Sequence, residues 1–97
     1  MDDRFASFRR ATAAALLDAP GATPPDLRHA IARGNPPPEL KALVAKIHAR
    51  AYTVTDEDLD ALRTRYTDDQ LFEIVVSAAF GAASERLAAA RKALEDA

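Results

Sequence analysis

Two stretches of this chain, twelve residues apart, carry the same helix entry. In Val54-Thr55-Asp56-Glu57-Asp58-Leu59, Thr55 sits as an N-cap with Asp58 at N3, and Val54 is spaced to close on Leu59 as a hydrophobic staple. In Tyr66-Thr67-Asp68-Asp69-Gln70-Leu71, Thr67 and Gln70 take the same two positions, with Tyr66 set against Leu71. Each threonine oxygen can accept a bond from a backbone N–H that has no partner inside its helix, which stabilises the start by about 1 kcal/mol. The second start follows so soon that the helix opened at Thr55 has room for only about two to three turns. No proline follows Thr67, so the helix opened there is expected to run from about Asp68 to Glu95.

Proline and glycine punctuate the first half. A helix from about Asp3 to Asp18 places Phe5, Phe8, Thr12, Ala15 and Leu16 near one face, and Pro20-Gly21 stops it. Thr23-Pro24-Pro25-Asp26 reads as the next start, with Thr23 as N-cap, Pro24 at the first helical position and Asp26 at the positive end of the dipole. Gly34 fits the left-handed position that ends this short helix. Asn35-Pro36-Pro37-Pro38 is a rigid connector, because a proline excludes the helical conformation from the residue before it. Such a run also suits a proline-recognition domain, but its place against a helix already accounts for it. Pro38 then opens a third helix carrying Leu40, Leu43, Val44, Ile47 and Ala51 at helical spacing. No segment alternates with period two. The expectation is a single all-α domain over residues 1–97, a bundle of about five helices with a long C-terminal helix.

Composition sets limits on partners and chemistry. Much of the 48% hydrophobic content is alanine, so the core is thin, and a thin core gains stability from a partner subunit. A net charge of −2 and a pI near 5.6 argue against nucleic-acid binding, which needs a concentrated positive face. Without cysteine the chain has no disulfide, no thiol nucleophile and no thiolate metal ligand. No long apolar segment reaches across a membrane and Met1-Asp-Asp-Arg is no secretory leader, so a cytoplasmic location is expected. Abundant alanine and a preference for arginine over lysine point to a high-GC bacterial source.

Candidate sites are sparse. Asp56, Asp58 and Asp60 have the spacing of the first calcium-loop ligands, but Ala61 stands where glycine is required and Thr67 where a bidentate glutamate is required. His29 and His48 each lack a second histidine at i+3 or i+4, so no metal or cofactor site is expected. His48 borders the apolar stripe on a line with Val44 and Tyr52, where an imidazole is either a packing residue or a general base. On the last helix Glu73, Ser77, Gly81 and Ser84 form one polar wedge. It reads as a solvated edge, as an acid satisfied by a neighbour, or as a catalytic carboxylate. Gly81 costs about 1 kcal/mol against alanine within a helix, which points to a close backbone contact.

From Leu40 to Leu94 the chain resembles the alkyl hydroperoxidase D-like and carboxymuconolactone decarboxylase-like proteins. The residues that carry the resemblance are Tyr52-Thr-Val-Thr-Asp-Glu-Asp-Leu-Asp-Ala-Leu62, Tyr66-Thr-Asp-Asp-Gln-Leu-Phe-Glu-Ile-Val-Val76 and the alanine-rich helix after them. The resemblance implies an all-α bundle and an oligomer. The peroxidase branch works through a Glu-x-x-Cys-x-x-Cys-x-x-x-His relay that this sequence does not contain.

Three functions follow as expectations. The first is a non-catalytic, oligomer-forming helical protein similar to the alkyl hydroperoxidase D-like proteins but without peroxidase activity. The second is a thiol-independent acid–base enzyme acting on a small organic acid in the manner of the decarboxylase branch, through His48, Tyr52 or Glu73. The third is a module that recognises a partner through the apolar face of the last helix. Association is expected along Val76, Phe80, Ala83, Leu87, Ala90 and Leu94, which recur with 4-3-4-3-4 spacing. A second stripe, Leu71, Ile74, Val75, Ala78 and Ala82, is left to face the other helices of the same chain. The alternative is that the first helix covers the seam within the monomer.

Overall fold

The computed structural model describes the backbone of residues 3–96 and the side chains of residues 7–96. Met1 and Asp2, and the side chains of Asp3, Arg4 and Phe5, lie outside the described residues. Five helices are present and no strand among the described residues: α1 (Asp3–Ala13), α2 (Pro25–Ala32), α3 (Lys41–Arg50), α4 (Asp56–Asp60) and α5 (Asp68–Asp96). α1 ends in a widened π-type turn over Ala14–Asp18. Ala19 follows in an extended conformation (ψ 151°), as the residue before Pro20 must.

α2 begins one residue later than its sequence places it. Thr23 is no N-cap: Pro24 occupies that position with ψ 144°, and Pro25 is the first helical residue. The cause is the proline pair, since the ring of Pro25 bars Pro24 from the helical region. Thr23 is released for another use described below. At the other end Gly34 has φ +77°. Its N–H donates to Ile31 O at 3.0 Å, and Asn35 N–H donates to Ala30 O at 2.9 Å. This is the paired-bond termination that a left-handed glycine makes possible.

Both threonine caps form. Asp58 N–H donates to the Thr55 hydroxyl at 3.3 Å while Thr55 N–H donates to Asp58 Oδ2 at 2.9 Å. Gln70 N–H donates to the Thr67 hydroxyl at 3.1 Å and Thr67 N–H to Gln70 Oε1 at 2.9 Å. α4 is shorter than expected, because after Asp60 its bonds tighten to i→i+3. Asp58 also accepts from Lys46 Nζ at 2.8 Å, which ties α4 to α3.

α5 is the spine of the molecule. Its 29 residues span about 43 Å at 1.5 Å per residue, close to the 46 Å long axis of the whole fold. The N-terminal half packs on α2 and α3 through Leu71, Ile74, Ala78 and Ala82, all buried, with Val75 at the margin. Leu71, Ile74 and Ala78 meet Ile31, Leu40, Leu43, Val44 and Ile47 in one apolar cluster. The second stripe of α5 therefore faces its own chain. α1 runs antiparallel to α5, with Leu16 near Phe72 and Val76, and Phe8 near Ala83 and Leu87. It stands off from α5 rather than covering it, and Phe8 is 70% exposed. No helix is long and apolar enough to cross a membrane among the described residues.

Candidate functional site

The polar wedge of α5 points inward. Ser77 is buried, and Gly81 meets the backbone of α2, where an added Cβ would lie 2.1 Å from Ala32 O. The close contact expected at Gly81 is thus the crossing point of two helices. Glu73, one turn before Ser77, receives three bonds from the α1–α2 connection. Ala22 N–H donates to Oε2 at 2.6 Å; Thr23 N–H and the Thr23 hydroxyl donate to Oε1 at 2.9 and 2.6 Å. These bonds favour the ionised form, so Glu73 is held below the usual carboxylate range, first by the Thr23 hydroxyl and then by the Ala22 amide. Gln70 adds a bond from Nε2 to Ala22 O at 3.2 Å.

Arg28, buried on α2, completes this polar cluster. Its guanidinium donates to Leu16 O at 2.9 Å and to Ala19 O, two carbonyls stranded at the end of the first helix. Its Nε is buried without a partner. The sequence signal was there, because Arg28 lies on the same stripe of α2 as Ile31, three residues on. A cavity of about 170 Å³ lies among Leu16, Arg28, Glu73, Val76 and Ser77. Chemically the cluster is a clamp: the ionised carboxylate accepts three bonds, two at Oε1 and one at Oε2.

His48 belongs to a different part of the fold. Its side chain is mostly buried, with Nδ1 3.7 Å from Glu85 Oε2 and Nε2 enclosed without a partner. Arg86 donates to the His48 carbonyl. A cavity of about 260 Å³ beside it is lined by Gly34, Pro36, Lys41 and Val44. Glu85 is twelve residues beyond Glu73 on α5, about 18 Å along the axis, so His48 and Glu73 do not share a cavity. Tyr52 falls off the His48 line because α3 ends at Arg50, and it stands 85% exposed in a short 3₁₀ turn. His29 pairs with Asp18 across the α1–α2 connection. The structure brings none of His48, Tyr52 and Glu73 together.

The proposed seam divides into two parts. Val76 and Phe80 are half-buried beside α1, whereas Ala83, Leu87, Ala90 and Leu94 are exposed. Leu94 is 75% exposed. On the other flank of α1, a groove of about 650 Å³ opens toward the end of α2. No protein-family model matches this chain, and neither a curated protein nor a solved structure does.

Proposed function

We propose that this chain is a non-catalytic, oligomer-forming helical protein of the bacterial cytoplasm, similar to the alkyl hydroperoxidase D-like proteins but without peroxidase activity. Copies associate through Val76, Phe80, Ala83, Leu87, Ala90 and Leu94 of α5. The observation that carries this reading is the outer half of α5, which presents Ala83, Leu87, Ala90 and Leu94 to solvent. An apolar stripe along an exposed helix is costly in a monomer, and a second stripe of the same kind covers it. The stripe is also self-complementary. Laid antiparallel about a two-fold axis, two copies oppose Ala83 to Leu94 and Leu87 to Ala90, a large side chain against a small one in each layer.

The titratable groups support the non-catalytic part. Glu73 is held ionised by three hydrogen bonds, so it holds no proton to donate near neutrality. Sedimentation equilibrium tests the reading. Wild-type protein is expected to associate at micromolar concentration, and Leu87→Glu is expected to give a monomer with an unchanged far-UV spectrum. A wild-type protein that stays monomeric at millimolar concentration refutes it.

A further inference from the structure

The groove between α1, the end of α2 and α5 differs in character from the rest of the surface. Its floor is Ala13 of α1, Ala32 of α2, and Phe80, Gly81 and Ala88 of α5. Four of these five residues are alanine or glycine, so apart from Phe80 no side chain reaches into the space between α1 and α5. The rim carries Arg9, Arg10 and Arg33, with Ser84 and Glu85 on the α5 side. Three guanidinium groups therefore stand against one carboxylate, on a chain whose net charge is −2. That one carboxylate is turned toward His48, 3.7 Å from its Nδ1. The volume, about 650 Å³, is within the range of small-molecule sites, and the lining follows their pattern of an apolar wall with a few polar groups placed at one side.

We propose that this groove binds a free long-chain carboxylate. The alkyl chain lies on the alanine and phenylalanine floor, where removing it from water supplies the affinity. The carboxylate lies among Arg9, Arg10 and Arg33, whose planar forked donors match its two oxygens. The position of α1 is explained by the same occupant. A helix separated from its neighbour by unfilled space forgoes the dispersion contacts that close packing provides, and an alkyl chain restores them. The site shares Phe80 with the proposed seam but otherwise lies on the opposite flank of α1 from Ala83 and Leu87, so its arginines and its small-residue floor stand apart from the association reading.

Laurate is a suitable probe, used below its micelle concentration, with acetate and dodecyltrimethylammonium as controls for charge without chain and chain with opposite charge. Laurate at saturation is expected to raise Tm by about 5 °C or more, and neither control to do so. Backbone amide shifts on titration are expected at Ala13, Ala32, Gly81 and Ala88. Arg10→Glu combined with Arg33→Glu is expected to weaken binding at least ten-fold. Ala88→Phe, which fills the floor and leaves every charge in place, is expected to abolish binding, and it decides the matter if the double charge reversal does not fold. Equal binding of the cationic amphiphile overturns the proposal, as does laurate binding that survives Ala88→Phe. Shifts confined to Ala83, Leu87, Ala90 and Leu94 overturn it too. Groove shifts that track protein concentration without laurate assign the site to a second copy of the chain, which also overturns it.

Discussion

Gly81→Ala separates two effects of opposite sign. Within a helix, alanine is preferred over glycine by about 1 kcal/mol, so propensity alone expects a more stable protein. The packing expects the reverse. The new methyl would sit 2.1 Å from Ala32 O and 2.8 Å from both the carbonyl carbon and the Cα of Ala32. All three atoms are backbone, so no rotamer change relieves the overlap, and α2 and α5 must move apart by roughly an ångström to restore ordinary contact distances near 3.5 Å. Forcing a methyl into a packed interface costs about 1–3 kcal/mol, and a backbone clash belongs at the upper end. Moving α2 also loosens Ile31 from Ile74 and Ala78 in the core cluster. The net expectation is a loss of about 1–2 kcal/mol after the propensity gain. For a domain of this size that is a fall in Tm of roughly 4–16 °C. Circular dichroism at 222 nm during heating, backed by urea unfolding, measures it. Ala89→Gly, on the exposed face of the same helix, reports the propensity term alone and should lose about 1 kcal/mol. A Gly81→Ala protein as stable as wild type, or more so, refutes the close crossing of α2 and α5.

Glu73→Gln keeps the shape but loses the charge that draws in the Ala22 and Thr23 donors, and chemical denaturation should show a loss of about 1–2 kcal/mol. Glu73 and Asp58 are both held below their ordinary values when folded, Glu73 by Thr23 and Asp58 by Lys46. Their contribution is therefore complete above pH about 5 and is lost as pH falls through the depressed folded values. Acid unfolding should start later, at lower pH, relative to its own neutral stability in Glu73→Gln than in wild type; identical normalised curves would count against the assignment. Thr55→Ala and Thr67→Ala should each cost about 0.5–2 kcal/mol, read as a lower Tm, and wild-type Tm values in both would place the helix starts elsewhere. Purified protein should show no dithiol-dependent turnover of an alkyl hydroperoxide, because thiolate attack and disulfide resolution both need cysteine; turnover above the no-enzyme blank refutes this.

What the sequence made legible was local chemistry. A threonine three residues before an acid or amide specifies its own partners, so the starts of α4 and α5 are readable without the rest of the fold. Gly34 is readable for the same reason, since its conformation is a property of one residue. Thr23 was misread even though the rule that decides it is local, because the proline pair outranks the cap preference. The α5 wedge needed more than periodicity. A helical wheel groups Glu73, Ser77, Gly81 and Ser84 on one face but does not say which neighbour covers that face. Solvent and the backbone of α2 leave the same pattern of small and polar residues. The line from His48 to Tyr52 failed at Arg50, where the chain leaves the helix, and no glycine or proline marks that break.

The buried arginine links these points to the placement of α1. Among its described side chains before Leu17, α1 buries none, so its position is set at its C-terminal end. There Leu17 enters the core and Arg28 gathers the carbonyls of Leu16 and Ala19. Glu73 fixes the following connection through Ala22 and Thr23, beside the same arginine. One polar cluster therefore does what a row of large apolar side chains would do in a thicker bundle: it orients α1 from a single end. A helix held at one end keeps its direction but is not drawn down onto its neighbour. The alanines at 13, 32 and 88 and the glycine at 81 give it nothing to close upon. The groove is thus a consequence of where the sequence spends its large residues. Most of them lie on the face of α5 that meets α2 and α3, while the groove beside α1 is left, Phe80 apart, to small residues and to the arginines above them.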